Sequence, residues 1–215
     1  MPEYGTVNYW EERYKKEPNT NFDWYITYTS FKSVINSLLD ENHRILVVGC
    51  GNSRLSQQLH DDGFKHVTSI DISQWVIDQM QEKYRETCPD LEWQVMDVKR
   101  LDFPSESFDV VIDKGTIDAI LCGKDSFDNA HAAHKEIQRV LQPNGTYINI
   151  TYGTPEARLD HFKQPGLNWN IEFKTIPKSH VGTDADAEDH SNYFYVYILS
   201  GKSSSNGTED STNIE

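Results

Sequence analysis

The chain has 215 residues and a formal net charge of −14, with 37% hydrophobic and 25% charged residues. This composition is near the globular average, which excludes wholesale disorder, and so acidic a surface disfavours nucleic acid as the main partner. A basic protein or a small molecule is a better candidate. The sequence contains no apolar run that could span a bilayer and no basic start followed by an apolar stretch, so we expect a cytoplasmic protein without a membrane partner.

The sequence predicts one continuous domain over residues 1–201 and a disordered tail at 202–215. Residues 182–190 predict an exposed acidic loop. The three cysteines (Cys50, Cys88 and Cys122) are odd in number and widely spaced, which suits neither a disulfide framework nor a zinc site. We therefore expect no metal.

Strand and helix patterns alternate through the middle of the chain. Short β-rich runs lie at residues 44–48, 67–71, 91–96, 108–112 and 146–151. Apolar residues at helical spacing predict three helices between these strands. The first contains Leu55 and Leu59, and the second contains Val76, Ile77, Met80 and Tyr84 and is capped by Ser73. The third contains Ala133, Ile137, Val140 and Leu141 and ends before a turn at 143–145. This alternation implies right-handed crossovers and a mostly parallel sheet covered on both faces.

The C-terminal part has a different pattern. Residues 171–176 and 193–199 are two strand runs joined by a loop with no convincing helix, which predicts a hairpin. The expected architecture is therefore α/β and Rossmann-like, with a mostly parallel seven-stranded sheet, one antiparallel strand and helices on both faces.

A glycine loop follows the first strand. Gly49 and Gly51 allow the backbone to turn sharply and to approach a ligand closely, although a tight turn without a ligand would have the same sequence. Asp71, at the end of the second strand, follows Gly51 by about twenty positions, the separation at which an acid meets ribose hydroxyls in nucleotide-binding folds. NAD is the competing ligand, but Arg54 stands where its fingerprint requires a third glycine. That departure favours S-adenosylmethionine, which has no pyrophosphate.

Two further loops lie where strands end. Asp97 closes the third strand, where an acid reaches the adenine amino group and the backbone of Val98 meets the ring nitrogen; an ordinary water-facing aspartate is the alternative. Asp113 and Lys114 end the fourth strand and should face the sulfonium and the acceptor, unless they form a buried structural pair.

Aromatic residues are concentrated ahead of the first strand. Trp10 and Tyr14 are four apart on a short predicted helix, and Trp24 follows. They could be a hydrophobic staple onto the sheet, but aromatic faces favour cations and the donor's sulfonium is one. We therefore expect residues 1–40 to form an aromatic lid over the cofactor.

With these motifs assembled, the chain resembles the class I S-adenosylmethionine-dependent methyltransferases, and among them the eukaryotic lysine methyltransferases of elongation factor 1-alpha. The likeness is greatest to the lysine methyltransferase 4 subgroup and looser to the methyltransferase-like 13 group. It runs from about residue 9 to 199 and is most specific in the run Asp113-Lys-Gly-Thr-Ile-Asp118. The sequence departs from the family pattern at Asp113, where glutamate is usual, and at Ile72, where an aromatic residue is common.

The resemblance implies an S-adenosylmethionine site and a lysine acceptor in a basic elongation factor, which suits the acidic surface. The residues that it places around the cofactor are Trp10, Tyr14, Trp24, Gly49, Asp71, Ile72, Asp97, Val98 and Lys114. Asp113 is a candidate for orienting the acceptor amine, and no catalytic base is assigned. We expect a monomer. A small-molecule methyltransferase and an inactive binding module are the alternatives; short connections disfavour the first, and the intact glycine and acid set disfavours the second.

Overall fold

A computed structural model of the chain describes residues 3–18, 20–178 and 190–201. The predicted tail lies outside the described residues, and so does the predicted acidic loop apart from its last residue. The boundaries proposed for the domain, the lid and the tail stay predictions.

Seven strands form one sheet, in the order β3-β2-β1-β4-β5-β7-β6. The strands are β1 (Ile45–Val48), β2 (Val67–Asp71), β3 (Glu92–Val95), β4 (Phe108–Lys114), β5 (Leu141–Thr151), β6 (Trp169–Pro177) and β7 (Tyr193–Gly201). Strands β1 to β5 pair in parallel, whereas β7 runs antiparallel to both of its neighbours, β5 and β6. The predicted seven-stranded sheet with one antiparallel strand is confirmed.

Helices cover both faces of the sheet. They are α1 (Val7–Lys16), α2 (Tyr28–Ile35), α3 (Leu55–Asp61), α4 (Gln74–Tyr84), α5 (Thr116–Leu121), α6 (Ser126–Val140) and α7 (Pro155–Phe162). Helices α1 to α4 pack on the face that holds Ile45 and Val47, and α5 to α7 pack on the face that holds Leu46 and Val48. Because β1 is buried on both sides, it is an uninterrupted apolar run.

Local sequence signals place several elements closely. The predicted Ser73 cap is confirmed, since its Oγ accepts a hydrogen bond from the backbone N–H of Val76 at 3.3 Å. Two boundaries differ from the prediction. Leu141 begins β5 instead of ending α6, so β5 runs straight through the expected turn, with a register shift against β4 beside Phe108. The sequence analysis did not predict the short helices α2, α5 and α7, although in α2 the buried residues Tyr28, Phe31 and Ile35 recur at helical spacing.

Among the described residues, no helix is both long and apolar enough to cross a membrane.

Candidate functional site

A pocket lies beside the glycine loop, at the carboxyl edge of the parallel strands. It has a volume of about 1040 Å³, including the space that opens to solvent at its mouth. The ends of β1, β2 and β4 form its floor, and α1 with the following segment forms its roof. In open α/β sheets this edge is where ligands bind.

All nine residues that the resemblance placed around a cofactor line this pocket. They are Trp10, Tyr14, Trp24, Gly49, Asp71, Ile72, Asp97, Val98 and Lys114. The structure therefore brings together residues from five separate parts of the chain.

The two glycines of the loop lie in left-handed backbone conformations, with φ of 59° at Gly49 and 50° at Gly51. A Cβ added at Gly49 would lie 2.0 Å from Oγ1 of Thr116, and one added at Gly51 would lie 2.7 Å from Oη of Tyr14. The sequence suggested that the glycines make room for a ligand. In the structure they also make room for Thr116 at the start of α5 and for the Tyr14 hydroxyl of α1, so a Cβ at either position would clash at a strained φ even without a ligand.

Asp71 is buried at the end of β2 and fixed by the glycine loop. Its Oδ2 accepts a hydrogen bond from the N–H of Gly51 at 2.9 Å, and its Oδ1 accepts one from Ser73 at 3.0 Å. Because burial penalises the charged form more than these N–H groups stabilise it, the pKa of Asp71 is raised to about 6. Each carboxylate oxygen retains a second lone pair, so the group still has capacity to accept hydrogen bonds from a ligand.

The Asp97 loop forms the next part of the wall. Oδ1 of Asp97 accepts a hydrogen bond from the backbone N–H of Lys99 at 2.9 Å, which fixes the carboxylate in a turn just beyond β3. Val98 is buried in the core below, and Ile72 is half-buried beside Asp71. The wall therefore combines one oriented acid with apolar surface.

Aromatic rings of the N-terminal segment form the roof. Trp10 stacks on Tyr14 with ring centroids 5.8 Å apart, and Trp24 meets Trp10 edge-on at 6.3 Å. Sequence reasoning missed Arg13, whose guanidinium lies 4.8 Å from the ring centroid of Phe22 and 5.2 Å from that of Trp24. Arg13 and Phe22 also line the pocket. Arg13 follows Trp10 by three residues and so lies on the same face of α1, and this spacing could have identified it from the sequence.

Lys114 joins the roof to the sheet. Its Nζ lies 2.9 Å from Oδ1 of Asp23 and donates a hydrogen bond to the carbonyl of Trp24 at 3.2 Å. Burial lowers the pKa of Lys114, and the Asp23 carboxylate opposes that effect. Oδ1 of Asp23 also accepts a hydrogen bond from the Ser53 hydroxyl of the glycine loop. The buried pair that we considered for Lys114 therefore exists, but with Asp23 of the N-terminal segment instead of Asp113.

Asp113 does not line the pocket. Its side chain is fully buried, and it accepts hydrogen bonds from the N–H of Thr116 at 2.8 Å and from the amide of Asn149 at 2.6 Å. Burial, with a smaller contribution from Asp118, raises its pKa to about 6. This geometry fixes the first turn of α5 and corrects the expectation that Asp113 reaches the acceptor amine.

A second group of possible ligands lies outside this pocket. His60, Asp61 and Cys88 have ligand atoms within 4.8 Å of one another. Nζ of Lys65 lies only 3.2 Å from Nε2 of His60. The lysine ammonium therefore takes the place where a cation bound to Nε2 would lie.

The pocket's chemistry fits an adenosyl ligand that carries a sulfonium. Asp71 can accept hydrogen bonds from two ribose hydroxyls, the glycine loop gives close backbone approach, and Trp10, Tyr14 and Trp24 present aromatic faces to a cation.

Comparisons with known proteins agree with this fit. A methyltransferase domain family model matches residues 46–149. The chain is 40% identical to mouse EEF1A lysine methyltransferase 4 over 182 residues, which is 80% of this chain and 71% of that protein. It is also 40% identical over 200 residues to the eEF1A lysine and N-terminal methyltransferase of Danio rerio, covering 92% of this chain but 28% of that longer protein.

Solved structures extend the similarity of fold. A SAM-dependent methyltransferase from Methanosarcina mazei superposes with a TM-score of 0.60 at 18% identity, covering 84% of this chain and 99% of its own. Together with the sequence relatives, these matches lead to one conclusion. The chain belongs to the methyltransferase family that includes EEF1A lysine methyltransferase 4.

Proposed function

We propose that this methyltransferase transfers a methyl group from S-adenosylmethionine to the ε-amine of a lysine in translation elongation factor 1-alpha. Relatives that are lysine methyltransferases of this elongation factor support the choice of acceptor. The observation that carries the proposal is the single pocket in which the glycine loop, Asp71 and the three aromatic rings meet.

Different residues around the pocket bind different parts of the methyl donor. Asp71 accepts hydrogen bonds from the ribose hydroxyls, Asp97 accepts one from the adenine amino group, and Val98 with Ile72 packs against the ring. Lys114 uses two of its three N–H donors on Asp23 and the Trp24 carbonyl, which leaves one for the donor's carboxylate. Trp10, Tyr14 and Trp24 cover the sulfonium. Gly49 and Gly51 keep the floor open.

S-adenosylmethionine supplies an electrophilic methyl group, so the protein has mainly to position the two reactants. Good alignment of bound reactants is worth roughly 7–11 kcal/mol of activation free energy. The acceptor must present a neutral amine, because an ammonium has no lone pair, and an apolar aromatic environment favours the neutral form. With Asp113 turned into the interior, we assign no side chain as base and infer that the proton leaves to solvent water.

Charge complementarity supports a protein acceptor. The chain carries a net charge of −14, and a basic partner would be attracted and steered to such a surface. The monomeric state, the cytoplasmic location and the absence of nucleic acid and membrane partners stay predictions; size-exclusion chromatography and cell fractionation test the first two.

The decisive experiment is methylation of purified elongation factor 1-alpha with labelled donor, followed by mass spectrometry of its peptides. We expect label on lysine and none after arginine replaces that lysine. Transfer of label to low-mass acceptors from a cell extract, with none to the elongation factor, would favour the small-molecule alternative. A failure of S-adenosylhomocysteine to bind in calorimetry would favour an inactive binding module.

A further inference from the structure

The turn at Trp24, Tyr25 and Ile26 has an unusual backbone. The N–H of Ile26 donates to the carbonyl of Trp24 at 2.8 Å, and the central residue, Tyr25, has a φ of 66°. Three-residue turns with a positive central φ are rare and strained, and a bulky side chain adds to the strain. Such strain persists where surrounding contacts hold it, and it is frequent at functional sites.

Two buried side chains hold this turn in place. Lys114 donates to the carbonyl of Trp24, as described above, and the hydroxyl of Tyr25 donates to Oδ2 of Asp118 at 2.7 Å. Asp118 is itself paired with Arg158 and accepts a hydrogen bond from the Thr151 hydroxyl at 2.7 Å. The turn is therefore anchored to β4 on one side and to α5, β5 and α7 on the other.

The turn separates the donor pocket from a second aromatic surface. Both Trp24 and Tyr25 pack on Gly115, where an added Cβ would lie 3.2 Å from Cε2 of Tyr25 and 3.4 Å from Cβ of Trp24. Trp24 lines the donor pocket, whereas the ring of Tyr25 meets the rings of Tyr152 at 5.7 Å and Phe194 at 5.6 Å. We call these last three residues the aromatic cluster. Tyr152 is 51% exposed, and the ring of Tyr25 lies 6.1 Å from that of Trp24, so the cluster extends from solvent to the wall of the pocket.

We propose that the aromatic cluster receives the acceptor lysine on its way to the donor pocket, and that Asp118 is the positioning residue that holds Tyr25 in the cluster. This inference rests on the lysine-methyltransferase function proposed above. A lysine side chain suits such a surface, because its methylenes pack against rings and its ammonium is attracted to their faces. The chain already places cations there: Cζ of Arg158 lies 5.5 Å from the ring centroid of Tyr152, and Nζ of Lys178 lies 5.0 Å from that of Phe194.

The first test removes the exposed ring. Tyr152→Ala should raise the KM for the elongation factor about five- to thirty-fold, the value of one or two aromatic contacts with a lysine, and should change the Kd of S-adenosylhomocysteine less than two-fold. Phe127→Ala is the matched control, because Phe127 is also an exposed aromatic residue next to α7 but lies outside the cluster. The proposal would be overturned if Tyr152→Ala left the KM for the elongation factor unchanged. It would also be overturned if the variant weakened S-adenosylhomocysteine binding by the same factor as it raised that KM.

The second test addresses Asp118 without removing a buried charge. Tyr25→Phe keeps the ring but deletes the hydroxyl that Asp118 holds. We expect a several-fold higher KM for the acceptor with unchanged S-adenosylhomocysteine affinity, a split that general destabilisation would not produce. Tyr28→Phe, a core tyrosine three residues later, should leave both constants unchanged. If Tyr25→Phe behaves like Tyr28→Phe, Asp118 does not position the cluster.

A bisubstrate analogue separates this inference from the proposed function. The probe is adenosine that carries a lysine-length aminoalkyl arm at the position of methyl transfer. In the wild type the arm should improve affinity over 5′-methylthioadenosine at least five-fold, and Tyr152→Ala should abolish that gain. A wild-type enzyme that gains from the arm but does not methylate the elongation factor refutes the acceptor assignment alone. No gain from the arm refutes the aromatic cluster, whatever the acceptor.

Discussion

Acidification below pH 6 should weaken donor binding through Asp71. Burial raises the pKa of this carboxyl to about 6, and its proposed role is to accept hydrogen bonds from two ribose hydroxyls. Protonation converts one acceptor oxygen into a donor, so the protonated form is not competent for binding. The competent fraction is about 0.9 at pH 7 and about 0.09 at pH 5, and the apparent affinity scales with that fraction. We therefore expect affinity to fall about ten-fold between these values.

The assay is calorimetric titration with 5′-methylthioadenosine from pH 5 to pH 8. This probe contains the ribose hydroxyls but lacks the amino and carboxyl groups of S-adenosylhomocysteine, so the ligand adds no titration of its own in this range. In Asp71→Asn the pH dependence should disappear. Affinity at pH 7 should also fall roughly ten- to hundred-fold, since an amide has one oxygen for the N–H groups of Gly51 and Ser73 and loses the charge. Asp78→Asn, an exposed acid on α4, should keep the wild-type profile.

The effect of Asp71 on stability has the opposite sign. Its folded pKa lies above its ordinary value of 3.8, so the folded state binds more protons between pH 3.8 and pH 6. The free energy of unfolding contributed by this group therefore falls as pH rises through that window, by about 3 kcal/mol in all. Weaker binding at pH 5 would thus not reflect acid unfolding caused by Asp71. A Kd that is the same at pH 5 and pH 7 in the folded wild type would refute the reasoning.

Three further predictions concern the loop, the cap and the core. Gly51→Ala should weaken S-adenosylhomocysteine binding about ten-fold or more, because the new Cβ meets the hydroxyl of Tyr14 at a strained φ. The double variant Gly51→Ala with Tyr14→Phe lacks that hydroxyl and should bind better than Gly51→Ala alone. If the double variant shows no recovery of affinity, the clash is not the cause. Ser73→Ala should lower the free energy of unfolding in urea by about 1 kcal/mol, whereas Ser73→Gly, which adds no volume at this buried site, should lower it by only a few tenths; a larger loss in Ser73→Gly than in Ser73→Ala would contradict a capping role. Burial lowers the pKa of His134 to about 3, so the stability that the neutral imidazole contributes is lost as pH falls below about 6.5. In His134→Leu the urea midpoint should therefore depend less on pH between pH 6.5 and pH 4.5. The same pH dependence in the variant and the wild type would contradict this.

Local signals were sufficient for the elements whose side chains repeat regularly. The apolar run of β1, the cap at Ser73 and the paired strand runs of β6 and β7 follow from neighbours close in the chain. The helices α5 and α7 could not be predicted in this way. They have six and eight residues, too few to be stable alone, and packing of buried residues such as Ile117 and Phe162 stabilises them.

The pocket residues were predictable as a set, but their partners were not. Strand ends and the resemblance brought Asp71, Asp97 and Lys114 to one edge of the sheet. The pairing of Lys114 with Asp23 joins residues about ninety positions apart, and no spacing rule links a loop before β1 to the end of β4. Such contacts depend on how the N-terminal segment crosses the sheet edge, which only the folded arrangement specifies.

One misplaced residue was nevertheless within reach of the sequence. Successive side chains of a strand point to opposite faces, and in β4 Val110 and Ile112 face the core under α2 to α4 while Val111 faces the core under α6. By the same alternation Lys114 must point towards the N-terminal segment, and Asp113 must point away from it, towards Tyr147 and Asn149 of β5. An acid at position 113 therefore cannot share the donor pocket with Lys114. The alternation along β4 therefore removes Asp113 as a candidate base, in agreement with loss of the acceptor's proton to water.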